Sequence, residues 1–176
     1  MILLLDLLLL GFLNLAELGI GTAVGVTLYK PLFKKNYEEL NNIIGLFGYL
    51  YRKIGLVLIA SGIILSLFFP IIFEDVSISL GIIYYVFFSF LISSLLGYFY
   101  NYHLFLLEAD QKSYVVASYF QSFNLIKIAI QCVVVFYLQS FFAWITLELI
   151  FSILYSFFLR KRIIKEYPWL WLNNDT

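Results

Sequence analysis

The stretch SYVVASYFQSFNLIKIAIQCVVVFYLQSFFAWITLELIFSILYSFFLRKR, residues 113–162, decides the fold. Residues 113–137 form an apolar run long enough to cross a bilayer, which needs ~20 mostly apolar residues. Only Gln139 and Ser140 separate it from a second run, 141–159, which ends on Arg160, Lys161 and Arg162. Two spans with so short a link predict a tight helical hairpin. Working outward, the same criterion finds three more spans, at about 2–28, 54–73 and 78–100. The predicted fold class is an all-α polytopic membrane protein: five transmembrane helices bundled over residues 1–165, then a tail, 166–176, whose last residues, Asn173-Asn174-Asp175-Thr176, read as a loop start or frayed end.

Composition agrees. The chain has 176 residues, 63% of them hydrophobic, 20% aromatic and only 12% charged. Soluble domains carry ~45–50% apolar and ~25% charged residues. A soluble globule of this length has too little interior for that much apolar surface, and mean hydropathy is +0.96. Disordered, nucleic-acid-binding and disulfide-stapled classes are excluded. The lone cysteine, Cys132, lies in an apolar run and reads as a small hydrophobe. The lone histidine, His103, sits beside Asn101 and Tyr102 with no nucleophile pattern around it. There is no phosphate-cradling glycine loop, paired-histidine metal motif or nucleophile elbow. No catalytic residue, metal or cofactor is therefore expected, and the chain does not read as an enzyme.

The formal net charge is zero, but the charges are sorted by position. Lys30, Lys34, Lys35, Arg52 and Lys53 lie between the first two spans, Lys112 between the third and fourth, and Arg160, Lys161, Arg162 and Lys165 after the fifth. Lys127 alone lies inside a span. The positive-inside rule makes the basic side cytoplasmic. This places the protein in the cell inner or plasma membrane, with its N-terminus outside and its C-terminus in the cytoplasm. The first span lacks the basic start and small-residue cleavage site of a signal peptide. An outside start with no preceding tail leads us to expect an earlier helix, so the chain is expected to be a fragment. Pro31 is expected just past the end of the first helix, and Pro70 in the last turn of the second. Residues 33–53 are too polar to span. Their apolar positions recur at helical spacing, so they form either an amphipathic cytoplasmic segment in the interface or a helical extension of the next span. Tyr167, Trp169 and Trp171 are expected to anchor at the headgroup level.

Ionisable residues inside spans cost about 2.5–3.5 kcal/mol each on insertion scales. Asp6, Glu17, Lys127 and Glu148 are such residues. They belong to polar stripes: Asp6, Asn14, Glu17 and Gly21 on the first helix; Gln121, Asn124, Lys127 and Gln131 on the fourth; Glu148, Ser152, Tyr155 and Ser156 on the fifth; and a milder line of Ser89, Ser93, Gly97 and Asn101 on the third. At ~100° per residue the fourth-helix set falls within an arc of about 120°. Aligned stripes imply a shared polar interior. Lys127 lies ~21 Å into its helix, too deep for its stem to snorkel to water. It presents a cation to an anionic substrate, with Glu17 positioning or gating it, or it forms a structural ion pair with Glu17 or Glu148. Gly21-x3-Gly25 gives the first helix a small-residue face suited to close packing.

Short motifs point to a family. Leu15-Ala16-Glu17-Leu18-Gly19-Ile20-Gly21-Thr22-Ala23, followed by Leu28-Tyr29-Lys30-Pro31-Leu32, resembles the Wzx-like oligosaccharide flippases. These are the polysaccharide-biosynthesis transporters of the multidrug/oligosaccharidyl-lipid/polysaccharide superfamily. Asn36-Tyr37-Glu38, Tyr51-Arg52-Lys53-Ile54, Ala109-Asp110-Gln111-Lys112 and Lys165-Glu166-Tyr167-Pro168-Trp169 are similar to family signatures in the same order. The family's basic pair before the Ala-Asp-Gln-Lys motif is weakened here, with His103 and Leu104 in that region and Glu108 unusual. The resemblance implies that the five helices are the second to sixth spans of a partial six-helix lobe of a MATE-like transporter fold, with the second lobe on another chain. It implies translocation of a polyprenyl-pyrophosphate-linked oligosaccharide from the inner to the outer leaflet. Lys127 would meet the pyrophosphate, Glu17 would position it, and Asn14, Gln121, Asn124 and Gln131 would line the sugar path. Glu148, Asp6 and Arg52 form a second tier of candidates. The expected partners are the lipid bilayer, the lipid-linked oligosaccharide and the missing lobe, with no nucleic acid.

Alternatives stay open. A small-solute or drug antiporter of the same superfamily would use Glu17 or Glu148 for its coupling cation. A membrane transferase acting on polyprenyl phosphates needs metal-binding acids at the membrane edge, which the Glu38-Glu39, Glu74-Asp75 and Glu108-Asp110 clusters do not supply. A non-transporting remnant or structural membrane subunit is the third.

Overall fold

The computed structural model describes residues 20–74 and 78–170, with side-chain exposure from residue 24 onward. Among these residues the chain is all helical: α1 (Ile20–Phe33), α2 (Tyr37–Leu67), α3 (Phe69–Ile72), α4 (Leu80–Phe99), α5 (Leu104–Ala109), α6 (Ser113–Leu138) and α7 (Phe141–Glu166). Four of them, α2, α4, α6 and α7, are long and apolar enough to cross a membrane. Most of the first predicted span, 2–28, lies outside the described residues. Large apolar side chains such as Val57, Leu67, Leu125 and Phe136 are exposed along these helices, as expected where lipid rather than protein covers them.

The segment Tyr37–Leu67 is a single helix of 31 residues. Residues 37–53 are therefore continuous with the span that follows. At 1.5 Å per residue α2 is ~46 Å long, well beyond the ~30 Å hydrocarbon core. Its start is capped. The Asn36 side chain accepts from the Glu39 N–H at 3.3 Å, an N-cap bond, and its amide donates to the Glu39 carboxylate at 2.9 Å, tying the two side chains together. The helix stops at Phe68, and α3 restarts with Pro70 in its first turn, where a missing N–H costs nothing. The second span thus breaks before residue 73.

Pro31 lies inside α1 rather than after it. The helix ends in a Schellman turn: the Lys35 N–H bonds Leu32 O at 3.1 Å, and the Asn36 N–H bonds Pro31 O at 3.0 Å. Lys35 takes the left-handed conformation (φ 52°) that such a turn requires. The end of α5 repeats the motif. Gln111 is left-handed (φ 57°), its N–H bonds Glu108 O at 3.0 Å, and the Lys112 N–H bonds Leu107 O at 2.7 Å. The α6–α7 hairpin turns on left-handed Gln139 (φ 45°), and the Ser140 hydroxyl caps α7 by accepting from the Ala143 N–H.

Two apolar clusters hold the bundle. The larger joins Val24 and Leu28 of α1, Leu40 and Ile44 of α2, Leu106 and Leu107 of α5, and Leu159 and Ile163 of α7, closed by Tyr167 and Leu170. It sits at the end of the bundle that carries the basic loops. The smaller joins Phe69, Phe73, Phe87 and Leu91. Between them α2 lies close to α4 at Gly55 and Gly62. A Cβ on Gly55 would stand 2.7 Å from the Phe99 ring, and one on Gly62 2.8 Å from Leu91. Gly25, by contrast, faces open space among the described residues.

Candidate functional site

α6 and α7 bring Lys127, Gln131 and Glu148 together. Lys127 and Gln131 are four residues apart and so share one helix face. Glu148 projects from α7 across the hairpin. Lys127 Nζ lies 2.6 Å from Glu148 Oε1. Gln131 Nε2 donates to Glu148 Oε2 at 3.2 Å and to the Trp144 carbonyl at 3.3 Å. Gln131 is buried, at 1% exposure, whereas the Lys127 and Glu148 side chains remain 17% and 30% exposed. Both carboxylate oxygens are thus engaged, and the lysine charge has a partner where water is scarce. A half-paired charge in such a place is far more costly than a complete pair. Chemically, the arrangement is a neutralised cation with an accessible edge. An external anion reaching Lys127 would compete with Glu148 for its charge.

The other predicted residues are placed differently. Gln121 is exposed and Asn124 half-buried. Both continue the α6 stripe, but neither joins the ion pair. Asn14, Glu17 and Asp6 lie outside the described residues. Arg52 is exposed on α2. The α7 stripe divides: Glu148 turns to α6, while Ser156 accepts from Asn101 Nδ2 at 3.0 Å, and Tyr155 packs on Phe120 and Phe123. Ser89 and Ser93 of α4 share a narrow crevice with Phe90, Ile145, Glu148 and Leu149. Nearby, the Tyr85 and Thr146 hydroxyls are hydrogen-bonded at 2.6 Å, a cross-helix tie that no periodicity in the sequence reveals.

At the basic end, segments distant in sequence lock together. Lys112 Nζ lies 2.7 Å from Asp110 and 2.9 Å from Glu166. Arg162 also reaches Glu166, at 2.9 Å. The Tyr167 hydroxyl donates to Asp110 at 2.8 Å. Hydrogen bonds from Lys112 to Asp110 and Glu166 raise its ammonium pKa above the ordinary lysine value. Burial, then the bond to Asp110, pushes the Tyr167 phenol upward. Burial also raises Glu108. Trp169 packs on the Tyr37 and Tyr167 rings, and its carbonyl accepts from Asn41. Tyr167 is buried in the larger apolar cluster, and Trp169, partly buried, packs against it. Trp171 lies outside the described residues.

His103 is buried in the turn between α4 and α5, its ring 3.8 Å from that of Tyr102. Burial lowers its pKa to about 4, helped by the positive charges of Arg160 and Arg52, while a hydrogen bond to the Tyr100 backbone opposes the shift. It is thus neutral at physiological pH. Groups of three or more histidine, cysteine, aspartate or glutamate side chains able to hold a metal do not occur among the described residues.

No protein-family model, curated protein or solved structure matches the chain.

Proposed function

We propose that this chain is part of one lobe of a membrane transporter that carries a polyprenyl-pyrophosphate-linked oligosaccharide from the inner to the outer leaflet, supplying cell-surface polysaccharide synthesis. The observation that carries the reading is Lys127, a cation deep in a membrane helix with a partly exposed side chain. A pyrophosphate crossing a low-dielectric layer needs such a partner. Gln131 orients the ion pair, and the exposed end of the α6 stripe, Asn124 and Gln121, offers hydrogen bonds to a sugar. The family-like motifs quoted above point the same way. The lipid tail stays in the bilayer. Alternating access needs two lobes rocking against each other, so the working unit includes a second lobe beside this one, with the basic face in the cytoplasm.

One observation favours a second reading. The 2.6 Å contact between Lys127 and Glu148 is also what a purely structural clamp on the α6–α7 hairpin would look like, as in a non-transporting membrane subunit. Binding of a polyprenyl-pyrophosphate oligosaccharide to the purified chain separates the two. Under the transport reading the wild type binds and Lys127→Gln binds at least tenfold more weakly. Equal binding by both proteins sinks the transport reading.

A further inference from the structure

Glu148 stands between two sets of partners. On the α6 side it holds Lys127 and Gln131 through its two oxygens. On the α4 side it borders the crevice lined by Ser89 and Ser93. The Ser93 hydroxyl is buried and has no hydrogen-bond partner, and Ser89 is buried as well. The two serines are four residues apart on one face of α4. A buried hydroxyl left without an acceptor is unfavourable, and a carboxylate is the acceptor nearest in kind: two oxygens, no donors. Ser93 therefore offers Glu148, which lines the same narrow crevice, an alternative hydrogen-bond donor.

We propose that Glu148 is a displaceable counter-ion: a diphosphate group entering at Lys127 takes its place, and the released carboxylate moves to Ser93 and Ser89. The proposal rests on Lys127 being an anion site. Exchange of one anion for another never leaves Lys127 unpaired in the membrane, which is the state that costs most. It also makes the empty site self-closing. Without ligand, Lys127 is neutralised and cannot attract stray anions. The apparent affinity is then set by the fraction of time Lys127 spends free of Glu148. Specificity follows as well, since a ligand with one diffuse negative charge competes poorly against a carboxylate already held by both Lys127 and Gln131.

The test is calorimetric titration of the full chain in lipid nanodiscs with two probes, farnesyl diphosphate and inorganic pyrophosphate. Glu148→Gln keeps the side-chain shape and removes the competing charge, and is expected to bind about tenfold more tightly than the wild type. Ser93→Ala is expected to weaken wild-type binding about threefold and to leave the affinity of the Glu148→Gln background unchanged, because the released carboxylate is what Ser93 receives. Tighter binding of the farnesyl compound assigns the site to a lipid headgroup, and equal binding assigns it to a soluble diphosphate. If Lys127→Gln loses binding while Glu148→Gln binds no more tightly, the counter-ion role falls and the anion site survives. If Lys127→Gln binds like the wild type, both fall. Unchanged affinity in Ser93→Ala alone removes the second resting place, whatever Glu148→Gln does to folding.

Discussion

The Tyr167 hydroxyl donates a 2.8 Å hydrogen bond to Asp110, joining the turn after α5 to the end of α7 across 57 residues of sequence. Lys112 repeats the link through its contacts with Asp110 and Glu166. The segments 109–112 and 165–169 thus touch each other. Tyr37, in a third, stacks near Trp169 at 4.8 Å. The shared role of these short segments in this chain is to close the basic end of the bundle around one apolar cluster.

Tyr167→Phe should loosen that closure without unfolding the helices. The ring still fills its place in the core, and only the hydroxyl bond is lost, a cost of about 0.5–1.5 kcal/mol. Asp110 keeps Lys112. Hydrogen exchange in detergent should quicken at both 110–113 and 163–167 in the variant. Faster exchange on one side alone would mean the two segments are not coupled.

His103 makes stability depend on pH. Its folded value of about 4 lies below the unfolded value of 6.5, so between these limits the unfolded chain binds more protons. Its contribution is complete above pH 6.5 and is lost as pH falls toward 4. At ~1.4 kcal/mol per unit the loss reaches about 3 kcal/mol. Thermal unfolding in detergent, followed from pH 7 to pH 4, should show this loss in the wild type. In His103→Gln the slope should flatten.

The α2–α4 contact is tested at Gly55. A Cβ there already meets the Phe99 ring at 2.7 Å. A leucine must push that ring and its helix aside, an overpacking cost of typically 1–3 kcal/mol. Gly25→Leu, by contrast, meets open space among the described residues. A lower midpoint for Gly55→Leu and little change for Gly25→Leu is the expected pattern in detergent thermal melts.

The long helices were legible because hydropathy and length suffice to identify a membrane span. The α6–α7 turn was legible because Gln139-Ser140 is the only polar pair between two apolar runs. Their partners were less so. The sequence left Lys127 a choice between Glu17 and Glu148, since helical spacing sorts faces but not which faces meet. Six-residue α5 is too short to show a period, yet Leu106 and Leu107 are fully buried. The break at Phe68 was hidden because Pro70 reads equally well as the end of one helix or the first turn of another. The close glycines of α2 lie seven residues apart, and only α4 beside them gives that spacing a meaning. Lys35, Gln111 and Gln139 carry no mark in the sequence of their left-handed backbone.

That backbone gives a prediction of opposite sign. Gln111 holds φ at 57°, a region that costs a residue with a Cβ roughly 1–2 kcal/mol and glycine almost nothing. Glycine in turn has more unfolded-state freedom to lose, so the net gain of Gln111→Gly should be at most about 1 kcal/mol. A raised unfolding midpoint in detergent is expected. A lowered one would mean that the Gln111 side chain, rather than its backbone, holds the turn.

The Lys127–Glu148 pair can be weighed apart from any ligand. Lys127→Met leaves a carboxylate with only Gln131, in a position where Glu148 is 30% exposed. Partial exposure brings the cost below that of a fully buried orphan charge, to roughly 2–4 kcal/mol. Glu148→Met strands the ammonium in the same way, and more severely, because Lys127 is the more buried partner at 17%. The double variant, Lys127→Met with Glu148→Met, removes both charges and leaves an apolar contact beside Gln131. It should recover most of the loss, because the penalty lies in the unpaired state rather than in the absence of the pair. Unfolding of the four proteins in detergent completes the cycle. Additive losses in the double variant would show that the two charges stabilise the hairpin independently, through contacts other than the one between them.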